Sequence, residues 1–366
     1  MRSGEQAGDG VAVPPGGRRM WGIVLSALAV PLILLGGVLG WALWGPNSFE
    51  HPEQRTILVS RGATFAGVVD SLEAAGILRS RFFFELAAHL RGGAEKIQVG
   101  KYRFASGVSN LGILDALVDG RGVLIPVTIT EGIRARTQAA VFARTLGVDS
   151  ARYARLAFDA DFARSLGIAE PSLEGYLLPQ TYAFAWQQDE EMILRAQVRE
   201  FTRFFNDSLK ARAAELGMSV HDVVTLASIV EGEVIFDEER PTVAGVYHNR
   251  LRRGMRLQAD PTIQYIIPDG PRRLLYEDLE TDSPYNTYRV KGLPPGPVGN
   301  PGARSILATL YPQEHNYLYF VANGRGGHWF SRSFEEHKRN VRNYRRERRR
   351  AVAAQEQAAQ SSLQQE

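Results

Sequence analysis

The residues best suited to acid–base chemistry are Glu231 and Glu233 in "TLASIVEGEV", residues 225–234. The chain contains no cysteine, which removes thiol nucleophiles, thiolate metal sites and disulfides. Its seven histidines are scattered without metal-ligand spacing. H-E-x-x-H, G-x-S-x-G and S-x-x-K are all missing. "NGRGGHWF" has the glycines of a phosphate loop without its lysine. Zinc-protease, serine-hydrolase and nucleotide-hydrolase readings therefore fall, and no cofactor is called for. A carboxyl group remains as the reactive species.

The two glutamates separate on a helical projection. Ser219, with Asp222 three residues on, reads as an N-cap in a capping-box variant. At about 100° per residue, Val220, Val223, Val224, Ala227, Val230 and Val234 share one face, with Glu231 near its middle. Glu233 is turned roughly 200° from Glu231. Burial would raise the Glu231 pKa, which suits a general acid near neutral pH. The same pattern fits a structural glutamate bonded to backbone or to an arginine. Glu233 reads as an edge residue orienting a neighbour, or as a solvated one.

The elements that must position these carboxylates are read from the rest of the chain. Its 366 residues, 44% hydrophobic and 23% charged, are enough for two or three globular units. "WGIVLSALAVPLILLGGVLGWALW", residues 21–44, has no charge and is long enough as a helix to cross a bilayer of about 30 Å. Trp21, Trp41 and Trp44 sit at its ends. Arg18 and Arg19 precede it and Glu50 and Glu53 come after it, which places the N-terminus in the cytoplasm and the remainder outside. Its length argues against a cleaved signal peptide. Pro31 is tolerable within a membrane helix.

The organisation reads as a cytoplasmic tail (1–20), a membrane helix (21–44), a linker (45–54) and a small module (55–125). A second, degenerate module or connecting region (126–189) comes next, then a main domain (190–346) and a basic, Gln-rich tail (347–366). The small module opens with a strand at Thr56–Val59 and a helix capped by Thr64 and ended by Gly76. A second helix starts after Ser80, then another strand, turn and helix. The 126–189 region repeats strand, Glu131-Gly132 turn and a helix capped by Thr137. "DEEMILRAQVREFTRFFNDSLKARAAELG" reads as one long helix. Beyond residue 237, Asn, Asp, Pro, Gly and Tyr dominate. "QADPTIQY", "SPYNTYRVKGLPPGPVGNPG" and "YLYFVANGRGGHWFS" read as shaped loops, which tend to carry function. The basic run "RNVRNYRRERRR" reads as a solvated helix face, with no nucleic-acid-binding signature beside it.

"LASIVEGEV", "LEGYLLPQTYAF", "VYHNRLRRGMRLQADPTIQY", "YNTYRVKGLPPGPVGNPG" and "YLYFVANGRGGHWFS" together resemble the endolytic murein transglycosylases, or YceG-like proteins. The resemblance runs from about residue 55 to 345. The family usually carries Lys where Gly232 stands, Thr where Ala259 stands and often Thr where Trp329 stands. The resemblance implies an α+β architecture: a single transmembrane helix, a LysM-like glycan-binding module and a mixed α+β catalytic domain. It implies cleavage of the MurNAc–GlcNAc bond to leave a 1,6-anhydro-MurNAc end, termination of nascent strands, and a peptidoglycan synthase partner. It also makes the first glutamate of the motif, Glu231, the catalytic residue. Expected substrate-positioning groups are Glu233, Asn249, Arg250, Gln258, Asp260, Thr262, Tyr285, Asn286, Tyr288 and His328. Each has a plainer reading in turn chemistry, packing or a satisfied loop histidine. Competing readings are a glycan-binding scaffold, a true hydrolase using Asp260 or Glu233, and a structural membrane protein.

Overall fold

Gly16–Trp44 forms one continuous helix, α1, because an apolar run without charges satisfies its backbone bonds internally. In the computed structural model residues 16–50, 53–268 and 270–363 are described, with 16–26 and 351–363 given for their backbone only. The expected tail at residues 1–15 lies outside them. Ala27–Trp44 is apolar and long enough to cross a membrane. Pro31 sits within α1 without breaking it.

The chain divides after Val123. In the first part, α1 leads into β1 (Pro46–Asn47), β2 (Gln54–Val59), α2 (Phe65–Ala74), α3 (Arg81–Arg91), β3 (Gly100–Ala105), β4 (Val108–Ser109) and α4 (Asn110–Val118). β2 pairs antiparallel with β3, from Gln54 opposite Ala105 to Val59 opposite Gly100. β1 pairs with β4. The helices close on the β2–β3 sheet through Val69, Leu72, Phe84, Ile113, Leu114 and Leu117, all fully buried. Thr64 caps α2 by accepting from the Gly67 N–H, as its type and position require. The last turn of α1 is part of this unit. Asn110 donates to the Ala42 carbonyl at 2.7 Å. Asn47 donates to Asn110 and accepts from the Arg79 N–H, both at 2.9 Å. Phe83 meets Trp41 edge-on.

The second part runs through β5 (Ile125–Thr128), α5 (Ala135–Leu146), α6 (Ser150–Ala157), α7 (Ala160–Ser165) and β6 (Thr181–Phe184). Next come α8 (Glu190–Phe204), α9 (Asp207–Glu215), α10 (Val220–Glu233), α11 (Arg240–Arg252), α12 (Asp260–Ile266) and α13 (Ala303–Leu310). β7 (Tyr319–Ala322), β8 (His328–Ser331) and α14 (Phe334–Leu363) complete it. β5 pairs antiparallel with β6 and β7 with β8. The architecture is mixed α+β with small sheets. Residues 126–189 share one core with the helices after them: Val127, Phe142, Tyr153 and Leu177 pack with Ile193, Val224 and Ile306.

Several local expectations change. The helix after the Glu131-Gly132 turn starts at Ala135 with Arg134 as its N-cap, so Thr137 lies inside it. The long helix of 189–217 is two, because Asn206 accepts from the Leu209 N–H and restarts the helix as α9. "QADPTIQY" is no loop: it supplies Ala259 and Ile263, both fully buried, and forms α12. "YLYFVANGRGGHWFS" folds as the β7–β8 hairpin. The tail is helical through Leu363.

α10 is the central element. The Ser219–Asp222 capping box forms in both directions. Every residue from Val223 to Ile229, and Val230 after it, is buried. Val223, Val224 and Ala227 face the first core, while Leu226, Ile229 and Val230 face a second with Val243, Tyr247 and Leu257. Each fully buried Leu or Ile contributes roughly 1.5–3 kcal/mol. A helix buried all round has no single apolar face.

Candidate active site

Because α10 is enclosed, both of its terminal glutamates leave bulk water, but into different company. Glu231 meets Arg240 of α11, whose Nη1 donates to Oε1 at 2.8 Å, and the Gly302 N–H, which donates to Oε2 at 2.8 Å. Only 6% of its side chain is exposed, against 8% for Arg240. Arg240 also contacts Asp237, Ser305 and, at 3.9 Å, Glu131. These are the partners of the second reading that the sequence left open, a buried glutamate bonded to an arginine and to backbone.

Glu233 ends the same helix in a different setting. It lies four residues beyond Ile229 and seven beyond Leu226, on the second buried face of α10. Burial pushes its pKa up to about 7. The Tyr247 hydroxyl, donating at 2.7 Å, opposes this by favouring the charged form, while the Asp260 carboxylate nearby pushes the pKa up again. Asp260 accepts from the Tyr288 hydroxyl at 2.5 Å. Burial also raises the Tyr247 and Tyr288 hydroxyl pKa values, so both remain proton donors. Glu233, Tyr247, Asp260 and Tyr288 make one polar cluster.

Beside it runs a cleft of about 490 Å³ lined by Ser228 and Gly232 of α10, Asp260, Pro261 and Gln264 of α12, and Val298. Gly132, Ile133, Arg134 and Thr137 form another wall, with Pro271. A Cβ on Gly232 would stand 2.7 Å from Cγ of Pro261, so the glycine lets α12 approach closely. The wall at 132–134 is tied to segment 299–302. Gly132 N–H donates to the Asn300 carbonyl at 2.8 Å, and a Cβ on Gly299 would collide with the Gly132 oxygen. The Asn300 side chain donates to Glu174 at 2.7 Å and accepts from the Gly175 and Leu177 N–H groups. Glu174 is buried, which raises its pKa to about 7 against the bonds from the Ala135 N–H and Asn300.

Of the expected positioning residues, Glu233, Asp260 and Tyr288 come together. Arg250 lies close enough to favour the charged form of Glu233, while its hydrogen bonds and those of the others go elsewhere. Asn249 donates to the His315 and Tyr317 carbonyls, and Arg250 to those of Leu318 and Leu257, so both bind the 315–318 segment to α11. Thr262 bonds the Ala259 carbonyl and Thr287. Asn286 is buried and holds the Leu279 and Thr281 carbonyls. Gln258 is exposed, with φ +49°. Tyr285 stacks at a tilt on Tyr265. His328 pairs with Glu239 at 2.6 Å. Tyr247, Arg240, Arg134 and Gln264 went unseen in the sequence. Tyr247 stands two residues before Asn249 in "VYHNR", yet only the packing of α11 on α10 turns it to Glu233. Among the described residues, no cluster of three His, Asp or Glu is placed to hold a metal ion.

Comparison with known proteins agrees with this layout. The sequence model of the YceG-like family matches residues 57–343. The endolytic murein transglycosylase of Bacillus subtilis (strain 168) is 31% identical over 330 residues, covering 85% of this chain and 91% of that protein. That of Streptococcus pneumoniae (strain ATCC BAA-255 / R6) is 27% identical over 321 residues, covering 78% of this chain and 57% of its own length. A solved structure of a yceG-like protein from Listeria monocytogenes superposes with a TM-score of 0.57 at 30% identity, covering 78% of this chain and 98% of that one. With a match across most of its length and the same α+β architecture, the chain belongs to the YceG-like family.

Proposed function

We propose that the chain is a membrane-anchored endolytic transglycosylase acting on peptidoglycan, with Glu233 as its acid. The reading is supported by the Glu233 carboxyl, whose pKa burial pushes up to about 7 and which lies next to Asp260, a residue that lines the cleft, in a chain whose relatives are named for that activity.

The chemistry needs one titrating carboxyl. Protonated Glu233 gives its proton to the glycosidic oxygen between MurNAc and GlcNAc as the C1–O bond breaks. The carboxylate then takes the proton of the MurNAc C6 hydroxyl, whose oxygen bonds to C1. The product carries a 1,6-anhydro end, and Glu233 is protonated again. Ordinary glycosidases use two carboxylates because water or a second carboxylate attacks; here the substrate supplies the nucleophile. Tyr247 and Asp260 set the Glu233 proton affinity from opposite sides. Glu231, bonded to Arg240 and to the Gly302 N–H, serves in this reading to position the Gly302 loop, although the family resemblance had pointed to it as the acid. The helix Ala27–Trp44 would anchor the chain with the cleft outside the cytoplasm, where it would end nascent strands in company with a synthase. The small module would hold the glycan.

A hydrolase is the second reading, favoured by the Asp260 carboxylate beside Glu233. Full-length protein in detergent, its Glu233→Gln and Glu231→Gln variants, and purified peptidoglycan separate the possibilities by mass spectrometry. Anhydro ends from the parent and from Glu231→Gln, absent with Glu233→Gln, are expected. Reducing ends from the parent would establish the hydrolase. Loss of cleavage with Glu231→Gln alone, in folded protein, would return the acid to Glu231.

A further inference from the structure

Arg134 is the one cation among the described residues that line the cleft. It caps α5 by backbone position alone, its side chain making no cap bond. One guanidinium nitrogen donates to the Gln264 carbonyl and the group lies over the Tyr265 ring, 5.0 Å from its centroid. Among the described residues no carboxylate is within ion-pair distance of it. A guanidinium carries five N–H donors, so most of its fork remains available, half-buried, on a surface that lines the cleft. Glu174, whose charged form Arg134 favours, is engaged with Ala135 and Asn300. Asp260 lines the same cleft. The described lining thus carries one cation and one carboxylate.

The backbone sugars of a glycan strand are neutral at hydroxyl and acetamide. Anionic charge resides on the C3 substituent of the muramyl residue, as a free lactyl carboxylate or as carboxylates of an attached peptide. Resting on the proposed substrate class, we propose that Arg134 recognises a carboxylate of that C3 substituent and thereby selects which sugar lies beside the acid. A planar fork pairs with carboxylate in bidentate geometry, and the Asp260 carboxylate in the same cleft repels that group. Together they fix the direction in which a strand enters.

The test uses full-length protein, Arg134→Gln and Arg134→Lys on two uncross-linked substrates: strands with stem peptides and strands stripped to lactyl carboxylates. Arg134→Gln is expected to raise KM about tenfold on at least one, with kcat within about twofold, and Arg134→Lys to recover part of the loss. Loss on peptide-bearing strands alone assigns a peptide carboxylate; loss on stripped strands assigns the lactyl group. Unchanged KM on both, or a fall confined to kcat, would overturn the proposal. Should Arg134→Gln fail to fold, methyl-esterified strands test the same contact from the substrate side. The parent's KM should then rise about tenfold, and an unchanged KM overturns the idea. If the parent cleaves nothing, the proposed activity fails separately. Arg134 is then judged by salt-sensitive strand binding, present in the parent and absent from Arg134→Gln; equal binding in both would overturn it.

Discussion

At the scale of residues, the neighbours of Glu233 make opposite predictions. An acid with a pKa of about 7 must hold its proton to work, so kcat/KM should fall about tenfold per pH unit above that value. Tyr247 favours the charged form, so Tyr247→Phe should move this limb to higher pH. Asp260 favours the neutral form, so Asp260→Asn should move it lower. Shifts in the same direction for both variants would disprove the assignment. Glu231→Gln acts differently. It removes one partner of a nearly buried ion pair while Asp237 remains at 2.9 Å from Arg240. A loss of roughly 1–3 kcal/mol in denaturant unfolding is expected, without a shift of the pH limb. The sequence showed α10, its capping box and the inward turn of Glu231, whose side chain is 6% exposed. It left Glu233 at an edge because Leu226 and Ile229 define a second buried face that a one-face projection ignores. Arg240 and Tyr247 lie nine and fourteen residues from their partners, and no periodicity links them.

At the scale of elements, the wall at 131–135 depends on segments 174–177 and 299–302 meeting at Asn300 and Glu174. The Glu174 pKa is about 7 folded and about 4.3 unfolded. The folded state thus holds an extra proton between those values. The stability linked to it is full below about pH 4.3 and is lost as pH rises through about 7. Glu174→Gln keeps an oxygen for Ala135 and Asn300 but does not titrate. Its stability relative to the parent should improve by on the order of 3–4 kcal/mol across that window; a difference independent of pH, by thermal unfolding, would refute this. Ser219→Ala should cost about 1 kcal/mol through loss of the cap that starts α10. Caps at Thr64 and Ser219 were legible because they are set by chemistry within four residues. The break at Asn206 was missed because Asn also occurs within helices. α12 was missed because Pro and Asp signal turns as readily as first helical turns.

At the scale of the whole molecule, the absence of cysteine makes the proposed orientation simple to check. Ser48→Cys in intact cells should react with a membrane-impermeant maleimide; labelling only after lysis would reverse the orientation. The span itself was plain in the sequence, since twenty-odd apolar residues admit few readings. Its junction was not, since the expected linker begins where the helix is already engaged. Ala42 is buried, and Asn110 and Asn47 close the last turn of α1 onto the module. If the helix anchors the chain and the module holds glycan, as proposed, the bilayer exit and the glycan-holding unit are one piece with no slack between them. A strand gripped there would be kept at a set altitude above the lipid and would slide in the plane rather than swing. The anchor would then work as a gauge of distance, admitting sugar that lies close to the surface where it is made and passing over the older wall beyond.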